Sequence, residues 1–228
     1  LKLGNGTSFF ISEEGHAISN EHCVKPFTRD EKKMAALMQY LNIAMRHLAP
    51  GYANQRDIRS VSDSLVKYAE AEPVVIILVT SDKKEYIAEI VATNQKDDLA
   101  LLKIDLPTKN TVIPVVNDVE LREGQDAYSI GYPWQMYSDY YADELPATLT
   151  GGIISALRTE KWDIQHTAAL NFGNSGGPLF RQDGVLIGIN SGMFSNQITT
   201  YYYAVGVKKM SAWLAEIGKT HLTGRKPQ

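Results

Sequence analysis

The chain has 228 residues and a formal net charge of −3, with 44% hydrophobic and 21% charged residues. Neither sign of charge dominates, so nothing predicts nucleic acid or an anionic membrane as a partner. Cys23 is the only cysteine, which excludes an internal disulfide, and no apolar run approaches the roughly 20 residues of a membrane span. There is no signal peptide and no initiator Met, so we expect Leu1 to be a cut end.

The first predicted elements are a hairpin and a helical block. The hairpin has apolar Phe9–Ile11, a turn at Glu13–Gly15, and a second strand at Ala17–Ser19. After it, Met and Leu residues recur at helical spacing in "RDEKKMAALMQYLNIAMRHLAP", and a second helical stretch follows in "SVSDSLVKYAEAE". Together these stretches predict a helical insertion at about residues 28–72.

From residue 73 onward the pattern is that of strands. The runs "PVVIILVT", "EYIAEIVAT" and "DLALLKI" are β-branched or apolar and are separated by polar turns. Further strands are predicted at four places, namely Asp126–Ile130, Leu149–Ala156, Val185–Asn190 and Thr199–Val207. The amphipathic "KKMSAWLAEIG" predicts a C-terminal helix that ends at Gly218. Many short strands indicate an all-β barrel or sandwich, and the Tyr-rich residues 132–147 could link two barrels.

The stretch "GNSGGP", residues 173–178, surrounds one serine with three glycines and a proline. A serine hydroxyl attacks a carbonyl only when a base takes its proton, and the resulting oxyanion needs preset N–H donors. Glycine permits the sharp bend that exposes such donors. The pattern therefore predicts Ser175 as a nucleophile, with Gly176 and Gly177 leaving room for a substrate chain.

The chain offers five candidate bases: His16, His22, His47, His166 and His221. His22 ends the first hairpin, whereas His47 lies in the helical block and His221 in the tail. Asp98, in "KDDLALLKI", directly precedes a buried strand, where an acid can accept a hydrogen bond from an imidazole. Asp98 is preferred to Asp97 because the residue that abuts the apolar strand turns inward.

Four segments, in order, resemble the HtrA (Deg) family of trypsin-fold serine proteases. They are "ISEEGHAISNEHCV", "DLALLKI", "SIGYPW…TLTGGIISAL" and "IQHTAALNFGNSGGPLFRQDGVLIGINS". The resemblance implies an all-β fold of two antiparallel six-stranded β-barrels, here with a helical insertion and a C-terminal helix. It also implies a triad of Ser175, His22 and Asp98, and an oxyanion hole formed by the N–H groups of Gly173 and Ser175.

The chain also departs from that family. Almost nothing precedes the first hairpin, where the family has another strand, and no PDZ domain follows the final helix in this chain. Asn174 occupies the position of the aspartate with which trypsin pairs its new N-terminus, so that ion-pair switch cannot operate. We expect one protease domain over residues 1–222, containing the insertion, and a tail over residues 223–228.

Substrate preference follows from the predicted pocket residues Ala169, Leu170 and Asn190. Trypsin's preference for Lys or Arg needs a carboxylate where Ala169 stands, and a buried cation without one costs several kcal/mol. We therefore expect cleavage after small or medium apolar residues. His166, near the nucleophile loop, is expected to be a structural, hydrogen-bonding histidine.

The expected function is a serine endopeptidase that acts on protein or peptide substrates and needs no cofactor or metal. The alternative is a catalytically silent protease fold that docks a protein partner, for which the Met-rich insertion is a candidate surface. By resemblance alone, the expected location is extracytoplasmic, in a bacterial periplasm or secreted.

Overall fold

The computed structural model describes residues 6–25, 75–109, 111–117, 119–133, 147–158, 162–195 and 198–224. The predicted helical insertion at about 28–72 lies outside these residues, as does most of the Tyr-rich stretch. The described residues form eleven β-strands, two α-helices and one 3-10 turn. The expected all-β class is thereby confirmed.

The first sheet is antiparallel and has five described strands in the order β1-β2-β5-β4-β3. Their bounds are β1 Phe9–Phe10, β2 His16–Ser19, β3 Ile76–Val79, β4 Glu85–Asn94 and β5 Leu99–Lys103. The predicted first hairpin is present, with Phe9 opposite Ile18 and Phe10 opposite Ala17. The sheet has one described strand fewer than the predicted six, and its outermost described strands are β1 and β3.

The second sheet is a closed six-stranded barrel with strands in the order β10-β11-β8-β7-β6-β9. Its strands are β6 Asp126–Gly131, β7 Thr148–Leu157, β8 Ile164–His166, β9 Pro178–Arg181, β10 Leu186–Ser195 and β11 Thr200–Gly206. All of its pairings are antiparallel. Because the barrel is closed, this sheet has no free strand edge. It has the six strands that were predicted for the second barrel.

β5 is buried on both faces, which explains why its sequence reads as a continuous apolar run. Leu99 and Leu101 belong to the large core that includes the barrel strands. Ala100 and Leu102 point the other way, as alternate residues of a strand must, and they pack in a smaller cluster with Ala17. The beginning of β5, where Asp98 lies, is therefore enclosed by packed side chains.

The C-terminal helix, α2, spans Val207–Glu216 and packs its apolar side on the large core. The predicted stop at Gly218 has the positive φ of 72° that is typical of such a position. Past the 3-10 turn Thr220–Leu222, the N–H of Gly224 donates to Val115 O at 2.8 Å. The boundary expected at residue 222 thus falls within a hydrogen-bonded segment.

Candidate active site

The "GNSGGP" stretch forms a tight double turn that leads into β9. Asn174 N donates to Asn171 O, and Gly177 N donates to Asn174 O, both at 3.0 Å. Gly173 and Gly176 have φ values of 99° and 85°, in the left-handed region that favours glycine. Two of the three glycines are therefore required by the backbone path itself.

The space beside Gly176 is filled by the protein and not by a substrate path. A Cβ built on Gly176 would lie 2.2 Å from the carbonyl oxygen of Thr7 and 2.4 Å from Ser19 Oγ. A Cβ on Gly177 would lie 2.4 Å from the carbonyl oxygen of Ile130. The expectation that these glycines leave room for substrate is wrong, because each glycine admits a neighbouring segment of the chain.

The backbone N–H groups of this loop fall into two sets. Those of Asn174, Gly176 and Gly177 donate to backbone carbonyls. Within the described part of the chain, the N–H groups of Gly173 and Ser175 donate to no other residue. These two open donors are the ones that the resemblance assigns to an oxyanion hole.

Asp98 lies directly against His22, although the two residues are 76 positions apart in the chain. His22 Nδ1 is 2.8 Å from Asp98 Oδ2 and 3.0 Å from Oδ1, and the backbone N–H of His22 also donates to Oδ1 at 3.0 Å. Because a carboxylate can only accept, Nδ1 must carry a proton, and Nε2 is left free to act as an acceptor in the neutral ring. Asp97 instead bonds to Asn94.

The backbone of Asp98 is held in an unusual conformation. Its φ of 57° lies in the left-handed region, which aspartate tolerates better than most residues. Asn20 Nδ2 donates to the Asp98 carbonyl at 2.8 Å, and both residues are buried. This bond fixes the peptide that aims the Asp98 carboxylate at the short helix α1, Glu21–Val24, which carries His22.

The electrostatics of the pair favour its charged form. Burial by itself lowers the pKa of the His22 imidazole, but the hydrogen bond to Asp98, with a contribution from Cys23, raises that pKa above its usual 6.5. Burial likewise opposes ionisation of Asp98, yet hydrogen bonds from His22 and Ser191 hold the pKa of its carboxyl below the usual range. Asp98 is therefore a carboxylate that stabilises an imidazolium at His22.

Ser191, in β10, is a site residue that the sequence did not indicate. Its hydroxyl donates a short hydrogen bond to Asp98 Oδ2, and its carbonyl accepts from Ser175 Oγ at 3.4 Å. One residue therefore contacts both the carboxylate of the first sheet and the hydroxyl carried by the barrel. Only the strand pairing reveals this role, because "GINSG" by itself is an ordinary strand sequence.

The Ser175 hydroxyl does not bond to His22 in this structure. Among the described residues, Ser175 Oγ donates to Ser191 O and not to the imidazole. Cys23, which follows His22 in the chain, has its Sγ 3.8 Å from the carbonyl oxygen of Ser175. The predicted bond between the Ser175 hydroxyl and the His22 ring stays a prediction.

The three predicted pocket residues lie in different environments. Ala169 is exposed, and its carbonyl accepts from Thr150 Oγ1 at 2.8 Å. Leu170 is 9% exposed, and Asn190 is fully buried. Asn190 Nδ2 donates to Ser129 Oγ and to Pro178 O, at 2.8 and 3.1 Å. Asn190 therefore braces the barrel behind the serine loop, and its pocket role stays a prediction.

His166 is buried in the barrel, where its ring stacks on that of Tyr202 with centroids 6.2 Å apart. Within the described part of the chain, neither ring nitrogen has a hydrogen-bond partner. The expected hydrogen-bonding role stays a prediction. Burial lowers the pKa of His166 to about 4, against a smaller opposing effect of the Ala168 backbone.

The described residues form neither a metal-binding cluster nor a membrane-spanning helix. No group of three or more His, Cys, Asp or Glu side chains there has the geometry to hold a metal ion. No described helix is long and apolar enough to cross a membrane.

Comparisons with known proteins found relatives that are similar in sequence. Arabidopsis thaliana Protease Do-like 1, chloroplastic, is 39% identical over 203 residues, which is 84% of this chain and 34% of that protein. Danio rerio Serine protease HTRA1A is 37% identical over 132 residues, 58% of this chain and 27% of the relative. A probable periplasmic serine endoprotease DegP-like from Marinomonas sp. is 39% identical over 130 residues, which is 53% of this chain and 25% of that protein. The chain thus spans about a quarter to a third of these relatives.

A crystal structure of the serine endoprotease from Yersinia pestis matches with a TM-score of 0.61 and 22% identity, covering 94% of this chain and 57% of that one. At this identity the likeness shows the fold. The model of the family described as trypsin-like peptidase domain matches residues 6–189, most of the chain. The chain therefore belongs to the trypsin-like peptidase family, and the relatives that it resembles in sequence are named as HTRA1A, a DegP-like endoprotease and Protease Do-like 1.

Proposed function

We propose that the chain is a serine endopeptidase in which Ser175 is the nucleophile, His22 the general base and Asp98 the orienting carboxylate. The observation that carries this proposal is the chain of contacts from His22 Nδ1 to Asp98, from Asp98 to Ser191 Oγ, and from Ser191 O to Ser175 Oγ. It brings together the three residue types that acyl transfer by serine requires.

The reaction follows from the positions of the protons. The Ser175 hydroxyl turns from Ser191 O to His22 Nε2, which takes its proton as Oγ attacks the scissile carbonyl. The imidazolium is stabilised by Asp98, and the oxyanion accepts from the N–H groups of Gly173 and Ser175. His22 then protonates the leaving amine, and a water that His22 deprotonates hydrolyses the acyl-enzyme.

The first test is labelling by a fluorophosphonate, which reacts only with an activated serine. We expect the wild-type chain to be labelled and Ser175→Ala to lose both the label and peptide turnover, the latter by about 10⁶-fold. Ser195→Ala, a change in the same barrel away from the contacts above, should keep both. Absence of labelling in a folded wild-type chain would instead favour the alternative, a silent fold that holds a protein partner.

The proposed specificity is cleavage after small or medium apolar residues. The support is that Ala169 stands where trypsin-like enzymes with basic specificity carry a carboxylate, so a buried Lys or Arg side chain would lack a counter-charge. A peptide-library digest tests this preference. Dominant cleavage after Lys or Arg would contradict it.

The proposed partner surface and the proposed domain bounds are supported by the sequence alone. The Met-rich segment at about 28–72 is proposed as a surface for a protein partner, and the protease domain is proposed to cover residues 1–222. Deletion of 28–72 should change partner or substrate profiles if the segment docks a protein, whereas an unchanged profile in a folded variant would contradict the docking hypothesis.

Relatives named as periplasmic support an extracytoplasmic location, which fractionation of the native organism would test.

A further inference from the structure

Thr7, near the start of the described chain, contacts the serine loop at two points. Its hydroxyl donates to the carbonyl oxygen of Gly173 at 2.7 Å, and its backbone N–H donates to the carbonyl oxygen of Ser175 at 2.8 Å. The hydroxyl also accepts from the N–H of Tyr132 at 3.0 Å. A single threonine therefore joins the first sheet, the end of β6 and the serine loop.

These two bonds hold the peptide groups on either side of the Asn174–Ser175 peptide. Gly173 O belongs to the peptide before it, and Ser175 O to the peptide after it. Fixing both carbonyls limits the rotation of the intervening peptide, which carries the Ser175 N–H. Rotation about the Gly173 backbone, whose φ is 99°, is limited in the same way. The two N–H groups that remain open are thus those whose direction Thr7 constrains.

The contact is enclosed, so water does not replace it. Thr7 is 3% exposed, and Ser19 Oγ holds its carbonyl at 2.9 Å. A buried carbonyl that loses its donor stays unsatisfied or pulls the loop toward another donor. Loss of the Thr7 hydroxyl alone would therefore leave Gly173 O free to turn, while the backbone bond to Ser175 O remained.

We propose that Thr7 is a positioning residue of the oxyanion hole, whose hydroxyl orients the Gly173 and Ser175 N–H groups through the Gly173 carbonyl. This inference rests on the proposed function of Ser175. It assigns to a residue 166 positions away in sequence the task of presetting the donors before substrate arrives.

The test compares Thr7→Val with Thr7→Ser. Valine keeps the branched shape and removes the hydroxyl, whereas serine keeps the hydroxyl. Because a small misplacement of catalytic groups can cost up to about 100-fold, we expect Thr7→Val to lower kcat by about 10- to 100-fold. KM should change by less than about threefold, because donors to an oxyanion act in the transition state. Thr7→Ser should recover most of kcat.

A transition-state readout separates positioning from general loosening. A peptidyl trifluoromethyl ketone forms a hemiketal oxyanion on the active serine, so its inhibition constant should rise in Thr7→Val in parallel with the fall in kcat. Ser19→Ala is the matched control: it removes one buried hydrogen bond to Thr7 but none to the loop. That control should lose stability with little change in kcat.

Several outcomes would overturn the inference. Wild-type kcat in Thr7→Val, equal losses in Ser19→Ala, or no recovery in Thr7→Ser would each do so. Thr7→Ala provides a second folded test if valine does not fit, and failure of both to fold would show a folding role in place of a positioning one. Ser175→Ala is assayed in parallel: if it stays active, the proposed function has failed, whereas an inactive Ser175→Ala beside a fully active Thr7→Val sinks only the role of Thr7.

Discussion

His22 and His166 lie in two differently built regions of the molecule, and burial acts on them in the same direction. His22 lies on α1, after β2 of the first sheet, with its side chain 42% exposed, and His166 is inside the barrel and 1% exposed. Burial lowers the pKa of both imidazoles, yet the pKa of His22 is raised and that of His166 falls to about 4. The difference is the carboxylate of Asp98, for which His166 has no counterpart among the residues that the structure describes.

The two histidines show that a carboxylate partner decides whether a buried or partly buried imidazole is charged or neutral. An imidazole without a carboxylate partner is kept neutral by burial, which suits packing against Tyr202. An imidazole beside a buried carboxylate accepts and holds a proton, which is what a base in acyl transfer must do. His22 thus has the electrostatic surroundings that its proposed role as a base requires, whereas His166 is a neutral part of the core.

Among the changes that test this comparison, we expect the largest effect from Asp98→Asn, which makes His22 resemble His166. The neutral amide no longer stabilises an imidazolium and permits the wrong tautomer, so kcat should fall by about 10⁴-fold. The pKa of His22 should fall at the same time, as measured by NMR titration of its ring in a Ser175→Ala background.

Asp97→Asn is the matched control, because Asp97 is adjacent in sequence but bonds to Asn94. It should leave kcat and the His22 titration near those of the wild type. A His22 pKa that does not move in Asp98→Asn would show that the two histidines differ for another reason.

The pH dependence of kcat/KM is the next effect in size. A base works only when neutral, and Asp98 raises the pKa of His22 above 6.5. Activity should therefore climb by up to about tenfold per pH unit above pH 6.5 and level off only above the raised pKa. Peptide hydrolysis from pH 5 to pH 10 measures this limb, and a plateau that begins below pH 6.5 would contradict the raised pKa.

His166 should make the fold sensitive to acid. Its pKa is about 4 in the folded chain and about 6.5 when unfolded, so below pH 6.5 the unfolded state binds the extra proton and is favoured. Between pH 7 and pH 5 this contributes a loss of about 2 kcal/mol in the free energy of unfolding. Denaturant unfolding should show a smaller loss for His166→Gln, while His221→Gln, an exposed histidine, should behave as the wild type.

The smallest effect is expected for Ser191→Ala. It removes one hydrogen bond to the Asp98 carboxylate while leaving the backbone carbonyl that meets Ser175. A hydrogen bond to a charged group contributes about 1.5–3 kcal/mol, and Asp98 keeps its hydrogen bonds from His22 in this variant. We therefore expect kcat/KM to fall about tenfold in Ser191→Ala and to stay unchanged in the control, Ser195→Ala. An equal loss in both variants would contradict the role assigned to Ser191.

Strand positions were predictable where local pattern and burial agree. The apolar run of β5 and the first hairpin appear close to their predicted places, because alternation and turn residues are local signals. The number of described strands in the first sheet was not predictable in this way, since it depends on which segments reach its edges. The burial of His166 was not predictable either, because its local sequence gives no sign that the barrel closes around it.

By itself, the sequence determined the all-β class, the tight glycine turn around Ser175, and the candidates His22 and Asp98, since these follow from short stretches whose chemistry is local. Only the tertiary structure decided that Ser191 contacts Asp98 across 93 positions and that Thr7 holds Gly173 across 166. It also decided that a neighbouring chain segment fills the space beside Gly176. Such contacts depend on strand pairing and packing between distant segments, and nothing in the local sequence of Ser191 or Thr7 indicates them.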